Sequence, residues 1–129
     1  MGLFNIFSSK NKSIKALEIN EANFNQEIAE SNLPVVLDFY ASWCQPCQVM
    51  SSLITRLVKE NQDLAQKVKV GKVDIEANPR LAEMFKIRST PSLLFIHKQS
   101  VLERSSGLLP YNELLQKIQD FAEDFETED

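Results

Sequence analysis

The sequence predicts a single α/β domain built around a mixed β-sheet, and three observations support that prediction. Five short segments are rich in β-branched and other apolar residues, and most of the gaps between them show helical periodicity. The early strands alternate with helices, which favours parallel pairing. Only a short connection separates the last two strands, which favours an antiparallel hairpin. A length of 129 residues suits one domain with one core.

The five predicted strands comprise residues 14–19, 35–40, 68–75, 92–97 and 101–105. The second of them, VVLDFY, is an almost continuous apolar run, which is typical of a central strand covered on both faces. With helices in most of the gaps, the predicted order of elements is β-α-β-α-β-α-β-β-α.

Four helices are predicted between and after these strands. The first follows Asn20 and Asn23, either of which is suited to cap it. The third begins at Asn78 and Pro79, a cap followed by a proline in the first turn. The fourth follows Pro110. The residues expected to face the core are Phe24 and Ile28 in the first helix, Met50, Leu53, Ile54, Leu57 and Val58 in the second, Leu81 with Met84 or Phe85 in the third, and Leu114, Leu115, Ile118, Phe121 and Phe125 in the fourth.

The composition is that of an ordinary globular protein, with 43% apolar and 25% charged residues. The formal net charge is −4, but five of the last seven residues are acidic. Without those five, 13 acidic residues remain against 14 basic ones, so nothing suggests a nucleic-acid partner. No apolar run approaches the roughly 20 residues needed to span a bilayer, and the opening residues lack the pattern of a secretory signal. We therefore expect no membrane span and a cytoplasmic location.

Both cysteines of the chain lie in the stretch YASWCQPCQVM, two positions apart. The spacing places Cys44 at the end of a strand and Cys47 one turn into the following helix, and Pro46 suits the first helical turn. The unpaired N–H groups and the positive dipole end of a helix N-terminus favour a thiolate at Cys44, and the thiolate is the nucleophilic form. Cys47 can then reach Cys44 through a small loop.

Three other interpretations of this cysteine pair fit the sequence less well. A zinc site needs about four ligands, but His97 is the only histidine and no second cysteine pair exists. A c-type haem site needs histidine after the second cysteine, where this chain has Gln48. A purely structural disulfide across so small a loop restrains little chain entropy. The pattern indicates a redox-active pair.

The motif WCQPC resembles the active-site motif of the thioredoxin family, typically Trp-Cys-Gly-Pro-Cys. The resemblance covers roughly residues 17–125, through VVLDFYASWC and VGKVDIEANPRLAEMFKIRSTPSLLFI. It implies the thioredoxin fold, a central mixed sheet of about five strands flanked by four helices. It also implies a division into an N-terminal extension (1–16), expected to be flexible, a thioredoxin-like domain (17–125) and an acidic tail (126–129).

The resemblance assigns chemistry to four residues. Cys44 is expected to attack a target disulfide, and Cys47 to resolve the resulting mixed disulfide. Asp38 is expected to lie buried behind the pair, where burial raises its pKa and makes it a proton acceptor near neutral pH. Lys72 matches the family's lysine beside that aspartate and is expected to moderate the pKa shift.

A substrate groove is expected around the pair. The family's cis-proline corresponds to Pro91, and a cis bond there turns the backbone of Thr90 towards the cysteines, where an extended target pairs with it. The remaining groove residues implied by the resemblance are Trp43, Gln45, Pro46 and Gly107. The chain departs from the family pattern at Gln45, in place of glycine, at Gln48, in place of a cation, and at Ser52, in place of proline; these departures leave the redox potential and the targets open.

The sequence thus predicts a disulfide reductase that cycles a Cys44–Cys47 disulfide. Its expected partners are disulfide-containing proteins and an electron donor of the thioredoxin-reductase type; no bound cofactor and a monomeric state are expected. Two alternatives remain at this stage: a thiol oxidant or isomerase on the same fold, and a non-catalytic interaction module that uses the same groove.

Overall fold

Five strands form one mixed sheet in the computed structural model, which describes residues 13–126. In chain order they are β1 (Leu17–Ile19), β2 (Val35–Tyr40), β3 (Lys69–Asp74), β4 (Ser92–His97) and β5 (Ser100–Ser106). Their spatial order is β1-β3-β2-β4-β5. The first three run parallel, and β4 and β5 are antiparallel to their neighbours. The mixed sheet, its hairpin and the central position of VVLDFY are therefore confirmed.

Helical segments fill the connections, one more of them than predicted. They are α1 (Asn25–Ala29), α2 (Gln45–Glu60), α3 (Gln62–Ala65), α4 (Pro79–Met84) and α5 (Tyr111–Glu123). Segment α1 is a single π-helical stretch. Segment α3 was not predicted, because four residues are too few to show a helical period.

The sheet separates two apolar clusters, so the domain has three layers. On one face, α2 and α5 pack against residues such as Val36 and Phe95. On the other face, α1 and α4 pack against residues such as Leu37 and Leu94. Strand β2 contributes to both clusters through alternate side chains, which is the burial on both faces that its apolar run predicts.

Strand β1 is shorter than predicted, since it begins at Leu17 rather than at residue 14. The backbone of Ile14 bonds instead to the side chain of Gln62, which accepts from the Ile14 N–H at 2.7 Å and donates to the Ile14 carbonyl at 3.0 Å. Most of the predicted extension (1–16) and of the acidic tail (126–129) lies outside the described residues, and the domain division stays a prediction.

One local detail differs from the prediction for α4. Asn78 precedes the helix but does not cap it with its side chain. The side chain accepts a hydrogen bond from the backbone N–H of Glu21 and donates one to the carbonyl of Asp74, tying two loops together. The helix buries Leu81 as predicted. Of the two alternatives expected beside it, Phe85 packs against the same cluster and Met84 is exposed, so the prediction is met through Phe85.

The β4–β5 connection closes without the customary Asn-Gly. Lys98 and Gln99 both adopt positive φ, at 48° and 71°, as a two-residue hairpin turn requires.

None of the helices described for residues 13–126 combines the length and apolar character that crossing a membrane demands.

Gly71 leaves no room for a side chain between β1 and β2. A Cβ there would lie 2.8 Å from Ile19 Cγ1 and 3.0 Å from Leu37 Cδ2, and both neighbours are fully buried. We predict that Gly71→Ala lowers the free energy of unfolding by about 1 to 3 kcal/mol through overpacking. Urea unfolding followed by circular dichroism measures this.

Ser105→Ala, on the edge strand β5, is the matched control and should change the free energy of unfolding by less than about 0.5 kcal/mol. Equal effects of the two alanine substitutions would contradict the crowding at Gly71.

Candidate active site

The cysteine pair lies at the junction between β2 and α2. Cys44 is the N-cap of α2, Pro46 stands in the first turn, and the backbone N–H of Cys47 points at Cys44 Sγ, 3.2 Å away. The two residues form a disulfide with Cα atoms 5.2 Å apart. Both are buried, Cys44 with 5% and Cys47 with 1% of its surface exposed. An N–H aimed at a sulfur at a helix N-terminus stabilises negative charge on that sulfur.

Cys44 borders an open groove, here called the cis-proline groove. The residues that line it are Trp43, Cys44, Gln45, Pro46, Ile75, Ile87, Arg88, Ser89 and Thr90. The wall opposite the cysteine is therefore the segment that leads into the proline. Four of the six predicted groove residues line this surface, and the other two support it from behind.

Those two are Pro91 and Gly107. The Thr90–Pro91 bond is cis, as the resemblance implied, and the Thr90 carbonyl oxygen lies 3.7 Å from Cys44 Sγ. Gly107 adopts a φ of 90° and its N–H donates to the Pro91 carbonyl at 2.9 Å. This φ favours glycine, so the residue secures the end of β5 against the proline turn.

Trp43 is the most exposed large apolar residue described at the site, with 71% of its surface accessible. Its indole N–H donates to a Glu76 carboxylate oxygen at 3.1 Å, and the hydroxyl of Ser42 donates to the other oxygen at 3.3 Å. Glu76 thus fixes the orientation of the ring. Glu76 lies 33 residues from Trp43 in the chain, so no local sequence pattern connects the two residues.

Asp38 lies in the middle of β2 with none of its surface exposed. Neither of its carboxylate oxygens has a hydrogen-bond partner among residues 13–126. Burial therefore raises the pKa of this carboxyl to about 7, because the charged form loses its solvation; the nearby charge of Lys72 opposes the rise. The expectation that Asp38 is buried is met.

Lys72 is the neighbour of Asp38 across the β2–β3 ladder. Its ammonium donates to the hydroxyl of Ser51 at 2.8 Å, so the lysine reaches towards α2. Ser51 stands one turn after Cys47 on that helix. The serine therefore connects the Asp38–Lys72 pair to the helix that carries the second cysteine, a link between residues 21 apart that no local sequence pattern reveals.

Glu18 extends this row of charges to the sheet edge. It pairs with Lys72 across the β1–β3 ladder, and its carboxylate accepts a hydrogen bond from the Tyr40 hydroxyl at 2.6 Å. Its negative charge adds to the rise in the pKa of Asp38. Burial is the largest cause of a raised pKa at the Tyr40 phenol, and the hydrogen bond to Glu18 is the second, so the phenol remains a protonated donor. Tyr40 therefore does more than pack.

Cys47 borders a different cleft, here called the helix-side cleft, which runs along the exposed face of α2. Its lining residues include Tyr40, Cys47, Gln48, Ser51, Ser52 and Thr55. The two sulfurs thus sit between two surfaces, the cis-proline groove in front and the helix-side cleft behind. Among residues 13–126, no three His, Cys, Asp or Glu side chains are arranged to hold a metal ion.

Comparison with known proteins agrees with this geometry. The sequence model of the Thioredoxin family matches residues 15–120. Thioredoxin C-3 of Corynebacterium nephridii is 40% identical over 103 residues, which cover 80% of this chain and 68% of that protein. The thioredoxin of Chlorobaculum thiosulfatiphilum is 36% identical over 104 residues, covering 81% of this chain and 94% of its own length.

Among solved structures, that of Malassezia sympodialis thioredoxin (Mala s 13) superimposes with a TM-score of 0.74. It covers 86% of this chain and 95% of its own, at 21% identity. The architecture is thus the thioredoxin fold, with a cysteine pair at the end of its central strand. The chain belongs to the thioredoxin family and is a thiol–disulfide oxidoreductase.

Proposed function

We propose that the protein reduces target disulfides, with Cys44 as the nucleophile and Cys47 as the resolving residue. The Cys44 thiolate attacks one sulfur of the target disulfide, the target S–S bond breaks, and the other target sulfur leaves as a thiolate. The Cys47 thiolate then attacks Cys44 Sγ and releases the second target sulfur. Two electrons pass to the target, and the protein is left with its own disulfide.

The observation that carries this assignment is the asymmetry of the pair. Cys44 Sγ receives the N–H of Cys47 at the start of α2 and borders the cis-proline groove. Cys47 is almost inaccessible and faces the other cleft. A bulky target can therefore meet Cys44 first, and the environment of Cys44 favours its thiolate.

Asp38 is proposed as the proton acceptor for Cys47. A resolving thiol has to lose its proton before it attacks, and a buried carboxyl with a pKa of about 7 can take that proton near neutral pH. Lys72 holds a positive charge beside the carboxylate and keeps the ionised form accessible. Both residues act behind the cysteines rather than in the groove.

The groove residues are proposed to hold an extended target segment. The Thr90 backbone offers pairing groups next to Cys44, with Pro91 and Gly107 fixing its position. Trp43 supplies an exposed apolar platform, and Gln45 and Pro46 form the rim beside the nucleophile.

Electrons are proposed to come from a reductase of the kind that serves thioredoxins, acting on a monomer in the reducing cytoplasm. The direction of electron flow separates this proposal from an oxidant on the same fold. A reduction potential near the roughly −270 mV of thioredoxin supports the reductase, whereas one near −120 mV supports the oxidant. An interaction module would keep its partner after both cysteines are changed to serine.

The order of attack gives the first prediction for this site. Cys47→Ser should accumulate a mixed disulfide with a target, because the resolving thiol is gone, whereas Cys44→Ser should accumulate none. Non-reducing electrophoresis and intact-mass spectrometry detect the added mass. The double serine variant is the control for non-specific adducts, and trapping by Cys44→Ser alone would reverse the roles.

The second prediction concerns stability. Because the folded-state pKa of Asp38 is raised from 3.8 to about 7, the native state binds more protons than the unfolded state between these values, and stability falls as pH rises through that window. Asp38→Asn removes this loss. The oxidised variant should exceed the native protein by about 2 to 4 kcal/mol at pH 8 and by little at pH 4.

Urea unfolding at pH 4, 6 and 8 measures the difference. Glu83→Gln, which makes the same carboxyl-to-amide change at an exposed position of α4, should show no such pH-dependent gain. A constant advantage of Asp38→Asn from pH 4 to pH 8 would contradict a raised pKa.

The third prediction concerns the rate of the resolving step. Asp38→Asn should slow it at least about tenfold without abolishing it, and should remove the increase in rate through pH 7. Glu18→Gln should keep that increase but shift it to lower pH, since it removes a negative charge that raises the pKa of Asp38. Stopped-flow resolution of a preformed mixed disulfide from pH 5 to pH 9 reports both effects.

Glu83→Gln again serves as the control for loss of one surface charge, and its pH profile should match that of the native protein. An unchanged profile in Asp38→Asn would show that another group accepts the proton.

A further inference from the structure

Three cations line another surface cleft, here called the basic cleft, which lies beside the cis-proline groove. They are Lys86, Arg88 and Arg104, and all three are exposed. The other lining residues are Ile87, Ser89, Ser92, Leu94 and Ser106. The cleft therefore combines positive charge with hydroxyl groups and has no acidic residue in its wall.

Two backbone features bring these cations together. Lys86 follows α4 in a left-handed conformation, with φ of 54°, and its N–H donates to the Glu83 carbonyl, so the chain turns sharply after the helix. Arg104 is brought alongside by the β4–β5 ladder, where it pairs with Leu94.

None of the three cations makes an ion pair or a side-chain hydrogen bond with any residue from 13 to 126. Some other cations of the domain are paired, such as Lys69 with Glu27 and Lys117 with Glu103. The side chains of the basic cleft thus keep their charge available to a partner.

The basic cleft is continuous with the groove at the nucleophile. Ile87, Arg88 and Ser89 line both surfaces, and no Asp or Glu lines either of them. Three acidic residues lie close by: Glu76 is engaged by Trp43 and Ser42. Glu103 precedes Arg104 on β5 and is paired with Lys117, and Glu83 lies on α4. The cations therefore border the surface that extends away from Cys44.

We propose that the basic cleft selects protein targets that carry Asp or Glu close to the reacting cysteine. This proposal rests on the proposed reductase function. The formal net charge of −4 would by itself disfavour acidic targets. Charges more than about 8 Å apart are largely screened at physiological ionic strength, however, so the local cations decide the interaction of a docked segment.

An acidic peptide suits this cleft better than a nucleic acid does. The wall contains no aromatic side chain on which a base could stack. Three cations are also few for a phosphate backbone, whereas they match two or three carboxylates on an extended chain, which advances by about 3.3 Å per residue.

The test compares two peptides with the same internal disulfide, flanked by three glutamates in one and by three glutamines in the other. Steady-state kcat/KM for their reduction is measured with dithiothreitol as the recycling reductant, and each value is normalised to the rate with dithiothreitol alone. The native protein should prefer the acidic peptide by roughly 2- to 10-fold at about 0.15 M ionic strength, where distant charges are screened, and the preference should vanish near 1 M salt.

The double variant Lys86→Gln with Arg104→Gln should lose most of this preference while reducing the neutral peptide at the native rate. Arg88 is left unchanged because it also lines the groove beside Cys44. The matched control is Lys15→Gln with Arg80→Gln. It removes the same net charge from exposed side chains outside the basic cleft and the cis-proline groove, and it should keep the preference.

Equal normalised rates for the two peptides would overturn the proposal while leaving the reductase function in place. An equal loss of preference in the control variant would also overturn it, because the effect would then follow net charge. Reduction of neither peptide would overturn both proposals. A single-stranded oligonucleotide that binds the native protein more tightly than the acidic peptide does, through Lys86 and Arg104, would assign the cleft to nucleic acid instead.

Discussion

Strand β2 is buried on both faces and yet carries a carboxyl group. The layers of the domain depend on its apolar side chains, and burial of the carboxyl conflicts with the solvation that its charged form needs. An apolar run at this position is what allows β3 and β4 to pair on its two sides and helices to cover both faces. Asp38 interrupts the run with a group whose charged form is poorly solvated there. The strand ends two residues after Asp38, and the chain reaches Cys44 four residues further on. The element that gives the core its continuity therefore also holds an acid close to the redox centre.

Lys72 partly relieves this conflict, and it stands in a row of charged residues that crosses three strands. Glu18, Lys72 and Asp38 occupy one row of the sheet, running from an exposed edge position to a fully buried one. Lys72 bonds to Ser51 of the covering helix, and Glu18 accepts from Tyr40. Each charge thus has neighbours of opposite sign or a neutral donor, and the carboxyl in the interior keeps a pKa within the physiological range.

Much of the fold was predictable from local sequence, and the exceptions have physical reasons. Val35–Tyr40 and Ser92–His97 were predicted with their observed bounds, because continuous apolar runs end abruptly in polar residues. Strand β1 was predicted too long, because the backbone of Ile14 pairs with a side chain far away in sequence. The cysteine motif is local and was evident. The contact of Glu18 with Tyr40 depends on strand register across 22 residues, which no local pattern encodes.

The two clefts at the redox centre share no lining residue. Cys44 borders the cis-proline groove, the proposed docking surface for targets, and Cys47 borders the helix-side cleft along α2. A small molecule seated against Ser52 and Thr55 would not compete with a protein target for space. Any inhibition by such a compound would therefore be non-competitive with respect to protein targets. Chemical control of this protein is therefore separable from competition with its substrates.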